Sequence, residues 1–174
     1  MKNYFIIFII ILISCNNDKK INFYDYDFFL DDKIKVIYFL APECPLSVNY
    51  TLTIRELDDK FSDLINSIIV FPGDYYKTSD IEKFISKYNL QNNYIVDNKK
   101  ILTKYFKATI TPEVYVIDSN NNIVYSGKID NWVDHLGKRK KIINENYLKD
   151  AILAIKNNNP ISIRKTKPIG CIIE

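Results

Sequence analysis

The sequence predicts an α/β domain, and three patterns carry that reading. The apolar period switches repeatedly between the form of a buried strand and the three- and four-residue spacing of a helix. Two short alternating runs, Glu113 to Asp118 and Ile123 to Ser126, flank the turn-rich Ser119-Asn120-Asn121-Asn122 as the arms of a hairpin would. A continuous apolar run, Val36 to Leu40, breaks at Pro42 and Pro45 and hands over to a helical stripe, with Cys44 at the junction.

In chain order, Lys35 to Leu40 is a run of branched and aromatic residues of the kind found in strands buried on both faces. From Pro45 to Phe61, Leu46, Tyr50, Ile54, Leu57 and Phe61 recur on one helical stripe suited to packing on a sheet. Ser67 to Phe71 predicts the next strand, stopped by Pro72-Gly73. Ser79-Asp80-Ile81-Glu82 reads as a capping box that opens a helix to about Leu90, with Ile81, Phe84, Ile85 and Tyr88 inward. Asn93 to Val96 predicts a third strand and Lys99 to Lys107 a third helix. The hairpin follows, then a closing helix over Tyr147 to Lys156 and an irregular basic tail from Pro160 to the end. There is no internal repeat.

The N-terminus reads differently. Lys2 precedes the apolar run Tyr4 to Ile13, which is too short to span a bilayer and has the shape of an export-signal core. Leu12-Ile13-Ser14-Cys15 resembles the lipobox of bacterial lipoproteins, which implies cleavage before Cys15 and lipid on its sulfur. The expected organisation is a lipoprotein signal peptide over 1–14, a tether over 15–31 and one domain over 32–174, with the tail from about 160. The resemblance implies a chain anchored to a membrane of the cell envelope and facing the periplasm or the exterior. Lys and Arg number 24 against 21 Asp and Glu, a balance with no electrostatic footprint for nucleic acid. With Cys15 lipidated, two of the three cysteines remain as thiols, Cys44 and Cys171, in a compartment that permits disulfides.

Cys44 carries the main chemical signal. A helix N-terminus presents unpaired N–H groups and about half a positive charge, so a thiol placed there is favoured as thiolate, the form that attacks disulfides and binds metals. Tyr38 to Pro45 resembles the active-site approach of thioredoxin-like proteins, where an aromatic-rich strand leads through a small residue and a proline to the nucleophilic cysteine. Thr111-Pro112-Glu113-Val114-Tyr115-Val116 resembles the second landmark of that superfamily, a cis Thr-Pro bond beside the cysteine and a following strand. Val124 to Asp130, together with the distant Gly170-Cys171-Ile172, resembles a bacterial redoxin branch that carries a cysteine near its C-terminus. The resemblance covers Lys33 to about Ile173. It implies a thioredoxin-like fold, with a central mixed sheet flanked by helices, and a thiol-disulfide oxidoreductase. Cys44 would be the nucleophile and Cys171 the candidate resolving thiol, with Pro45, Ser47, Thr111 and Pro112 at the binding site. Protein thiols or disulfides would be the partners, and no cofactor is called for.

The departures from the family patterns set limits. Ser47 stands where a thioredoxin carries its second cysteine and cannot close a disulfide. Ala41 stands where peroxiredoxins place the Thr or Ser that holds peroxide, which disfavours a standard peroxidase. Val48 occupies the second cysteine position of the oxidase copper chaperones, although His135, the chain's one histidine, remains. An assembly factor or carrier for copper or a haem protein, using Cys44 with Cys171 or His135, is the alternative, since soft thiolates select copper(I). A redox-inactive binding module is another. Locally, Ser47 either donates to the thiolate or is solvated, and Pro112 is cis or an ordinary strand-edge proline. Cys171 pairs with Cys44 only if the tail folds back, and His135 reads as solvated. Trp132 reads as core or lid, and Glu43 and Lys138-Arg139-Lys140-Lys141 as exposed charge. In cell fractionation, Cys15→Ala is expected to lose both the cleavage before residue 15 and the lipid-dependent anchoring that follows it; processing and anchoring identical to the parent would remove the lipoprotein reading.

Overall fold

The computed structural model describes Phe28 and residues 32–174. The expected signal peptide, Cys15 and nearly all of the tether lie outside the described residues. No helix among those described is long and apolar enough to cross a membrane.

The chain forms β1 (Ile34–Phe39), α1 (Pro45–Phe61), β2 (Ile65–Pro72), α2 (Thr78–Lys87), β3 (Asn93–Asp97) and α3 (Ile101–Phe106). These are followed by β4 (Ile110–Thr111), β5 (Glu113–Ile117), β6 (Ile123–Gly127), β7 (Val133–His135), β8 (Lys138–Arg139), α4 (Tyr147–Lys156) and β9 (Cys171–Ile172). Five strands make the central sheet in the order β3-β2-β1-β5-β6. β1, β2 and β3 run parallel, while β5 pairs antiparallel with β1 and β6 antiparallel with β5, so the sheet is mixed.

β1 lies at its centre and is buried along its whole length. Its alternate side chains serve two cores. Val36, Tyr38 and Leu40 face Ile54 and Phe61 of α1, Ile81 and Phe84 of α2, and Leu148 and Ile152 of α4. Ile37 and Phe39 face Leu102 and Phe106 of α3, with Tyr115 and Ile117 of β5. Phe39 meets Phe106 and Tyr115 edge-on, with ring centroids 6.0 and 5.6 Å apart. Such pairs contribute about 1 kcal/mol each beyond their buried area.

Several boundaries differ from the sequence expectation. β2 starts at Ile65 rather than Ser67 and runs through Pro72, and α2 ends at Lys87 rather than about Leu90. The Ser79-Asp80-Ile81-Glu82 box does not cap α2, which starts at Thr78 with Lys77 at the N-cap and no side-chain cap bond. α3 begins at Ile101 rather than Lys99, because Asp97 reaches forward to cap it. Its carboxylate accepts the N–H groups of Ile101 and Thr103 and the Thr103 hydroxyl, all at 2.7 Å. The segment from Pro160 is not wholly irregular. It ends in β9, which pairs antiparallel with β4.

Asp97→Ala is expected to destabilise the fold by about 2 kcal/mol, the upper range for loss of a helix cap, because Asp97 is buried and its donors are left without a partner. Urea denaturation measures the loss.

Candidate active site

Strand β1 delivers the chain to Ala41, and a tight turn closes between the Cys44 N–H and the Ala41 carbonyl at 3.0 Å. Cys44 is the N-cap of α1, and Pro45 fills the first helical position, where its missing N–H has no helical partner to lose. Ser47 is buried in the first turn. Its hydroxyl accepts the Ala41 N–H at 3.2 Å, so it ties the strand end to the helix start. Its burial rules out the solvated serine of the sequence expectation, and its own O–H is left to donate. The backbone requires the bond from Ala41, since a buried Ala41 N–H needs an acceptor.

Thr111 and Pro112 arrive from the other side, and the bond between them is cis. Both are buried, and the Thr111 carbonyl oxygen lies 3.1 Å from Cys44 Sγ. Cys171 stands opposite Thr111 in the β4–β9 pairing and is bonded to Cys44, with the two Cα atoms 6.0 Å apart across 127 positions of sequence. Cys44, Cys171, Thr111 and Pro112 therefore form one cluster. Cys44 is 2% exposed, whereas Cys171 keeps part of its surface open. Pro45 is exposed beside Cys171 and shares a shallow cavity with it.

His135 lines that same cavity on β7 and is exposed, in keeping with the solvated reading. Among the described residues no group of three or more His, Cys, Asp or Glu side chains is placed to share a metal ion. Trp132 is half-buried, edge-on to Tyr50 with centroids 5.4 Å apart and covered by the Arg139 guanidinium at 4.7 Å. Glu43 is exposed at the mouth of a cavity it shares with Cys44, Thr111 and Cys171.

Two fixtures of the site were missed in the sequence. The tail crosses the edge of β6 before it reaches β4. Ser126 donates to the Arg164 carbonyl, and Thr166 donates back to Ser126, each at 3.0 Å. The Lys128 N–H donates to Thr166 Oγ1 at 2.8 Å. A side chain at Gly127 would put its Cβ 2.3 Å from the Thr166 carbonyl oxygen, and Gly127 has φ +130°, so glycine is required at this crossing. At β4, a Cβ on Gly170 would meet the Thr111 carbonyl oxygen at 2.0 Å. The chain has only four glycines; in the sequence Gly170 beside Cys171 offers room for the tail to approach, whereas Gly127 carries no such signal. Glu113 is the second fixture. Buried directly after Pro112, it accepts the Thr109 N–H at 3.1 Å and the Tyr115 hydroxyl at 3.0 Å, bracing the β4–β5 corner. Burial pushes its carboxyl above the ordinary range, opposed by the Thr109 N–H and the Tyr115 hydroxyl.

The AhpC/TSA family profile matches residues 11–126, a stretch that contains Cys44 and Pro112. The chain belongs to the AhpC/TSA family. No curated protein matches it. Among solved structures it is similar to a hypothetical protein from Sinorhizobium meliloti 1021, with TM-score 0.73 and 18% identity over 83% of this chain and 81% of that one. An uncharacterized conserved protein from Geobacillus kaustophilus gives TM-score 0.69 and 22% identity, over 82% of this chain and 77% of that one. A secreted disulfide oxidoreductase of Mycobacterium tuberculosis, homologous to E. coli DsbE, gives TM-score 0.55 and 14% identity over 72% and 84%. At these identities the likeness is one of fold, and the AhpC/TSA chain described here has the thioredoxin-like fold.

A carboxyl whose folded pKa is raised stabilises the protein through its neutral form. That contribution is complete below the unfolded value of about 4.3 and is lost as pH rises through the higher folded value. Glu113→Gln keeps a neutral group in place at all pH. Urea titrations are therefore expected to show the variant gaining on the parent as pH rises above about 4, and parallel profiles would contradict the assignment.

Proposed function

We propose that this chain is a thiol-disulfide oxidoreductase of the cell envelope, held at a membrane by lipid on Cys15, with Cys44 as nucleophile and Cys171 as resolving thiol. One observation carries the reading: Cys44, at the N-terminus of α1, is bonded to a cysteine that the tail brings in from 127 positions away.

In the reduced chain the Cys44 thiolate attacks one sulfur of a partner disulfide, and the partner's other sulfur leaves as a thiolate and takes up a proton. The Cys171 thiol then loses its proton and attacks Cys44 Sγ, and the remaining partner sulfur leaves and is protonated. The partner gains two electrons and two protons, and the Cys44–Cys171 pair is oxidised. The backbone at Thr111 and Pro112 docks the extended partner segment beside Cys44, and Pro45 and Ser47 hold the helix start that presents the sulfur.

Recharging requires an external dithiol. Cys44 is closed off in the oxidised chain, so the incoming thiolate reaches the more open Cys171 and displaces Cys44 as the leaving thiolate. A leaving group stabilised at a helix N-terminus favours that direction of cleavage. Ala41 offers no hydroxyl at the place where peroxiredoxins hold peroxide, so exchange between sulfurs is the better fit for this member of the family.

Reaction with dithio-bis-nitrobenzoate tests the roles. The reduced parent is expected to release both thionitrobenzoates and keep none, because Cys171 resolves the adduct. Cys171→Ser should keep one as a stable adduct on Cys44, and Cys44→Ser should react slowly, as an ordinary thiol does. A parent chain that retains the label on Cys44 would show that Cys171 does not resolve.

A further inference from the structure

The tail occupies the very backbone at which an extended partner would dock. Thr111 pairs with Cys171 and Ile110 with Ile172, and the Ile173 N–H donates to the Thr109 carbonyl at 2.9 Å. The sequence of that docked strand is constrained position by position. Before the cysteine, any Cβ would strike the Thr111 carbonyl, so glycine stands there. After it, Ile172 points outward and is 77% exposed. Two positions on, Ile173 returns to the face of Cys171 and packs against the cluster of Ile37, Phe39 and Phe106.

Building on the oxidoreductase reading above, we propose that the Ile110–Thr111 edge recognises extended peptides of the pattern glycine, cysteine, any residue, aliphatic, and that the chain's own tail is its resident occupant. Partner and tail exclude one another on two residues of backbone. While the Cys44–Cys171 bond is intact the tail cannot leave, so the oxidised chain is closed to peptide dithiols. Once the bond is reduced, the short β4–β9 pairing, the Ile173 contacts and the Lys100 ammonium on the Glu174 carbonyl hold the tail on β4, and a matching peptide displaces it. Return of the tail after the first exchange delivers Cys171 to Cys44 and expels the partner strand in the same movement. The bound strand thus selects disulfide-bearing peptides as substrates, and the chain works as their reductant.

The test uses the full chain carrying Cys171→Ser, reduced, with tetrapeptides whose cysteine is activated as a thionitrobenzoate disulfide. Cys44 attacks the peptide sulfur and coloured thionitrobenzoate leaves. Rates are normalised to those of free cysteine with the same peptides. The Gly-Cys-Ile-Ile peptide is expected to outpace Val-Cys-Ile-Ile and Gly-Cys-Ile-Asp by about tenfold or more, the discrimination available to a pocket that rejects by shape and polarity. Adding Gly170→Val or Ile173→Asp to the chain, either of which loosens β9, should raise the rate with Gly-Cys-Ile-Ile. Equal rates for the three peptides would overturn the recognition pattern while leaving Cys44 as a nucleophile. Rates that neither tail substitution changes would overturn the exclusion. If no peptide reacts faster than it does with free cysteine, the nucleophile reading itself fails and this one falls with it.

Discussion

The peptide unit of Thr111 is the point through which the site is assembled. Its carbonyl oxygen lies against Cys44 Sγ, and its residue pairs with Cys171. The same carbonyl excludes any side chain at position 170. Because backbone groups at a buried site must find partners, a short edge such as Ile110–Thr111 cannot stay bare without water or a strand to cover it. The tail supplies that strand. A loop of more than a hundred residues closes for little more entropy than a loop of half that size, so the distance in sequence between Cys44 and Cys171 costs little beyond what a nearer pair would.

The surrounding fold keeps this edge in place from two directions. On the Cys44 side, the Ala41 N–H is held by Ser47, which locks the turn between β1 and α1. On the Thr111 side, Glu113 takes the Thr109 N–H and the Tyr115 hydroxyl, which fixes the approach to Pro112. β1 and β5 are neighbours in the sheet, with Phe39 opposite Glu113, so the two halves of the site sit at the ends of adjacent strands. Such rigid support suits chemistry in which two sulfurs and a docked strand must meet in one geometry.

Membership of the AhpC/TSA family and a site suited to sulfur exchange are compatible once individual positions are considered. In this member a strand end presents a cysteine at a helix start. The neighbours of Cys44 are an alanine three residues upstream and a second cysteine delivered by the tail, and it is on these that the proposed sulfur exchange rests. Function resides in the site grafted on the fold, and not in the fold alone.

The β1, α1, β5–β6 and α4 elements were legible in the sequence because each buries a long periodic face whose pattern survives without knowledge of its partners. Cys44 was legible for a local reason, the prolines that end a strand and start a helix around it. β4, β7, β8 and β9 were not. Each is two or three residues long, too short to show a period; β4 and β9 exist only because each supplies the other's hydrogen bonds from far away in the chain, while β7 and β8 pair locally with each other. The role of Ser47 was hidden likewise, since its partner is a backbone N–H that only the folded turn brings within reach. Sequence alone determined that a thiol stands at a helix N-terminus on an α/β scaffold. Tertiary structure decided that Cys171 meets it, because whether a tail folds back depends on two crossings, at Gly127 and Gly170, where the space for a backbone is set by strands far away in the chain.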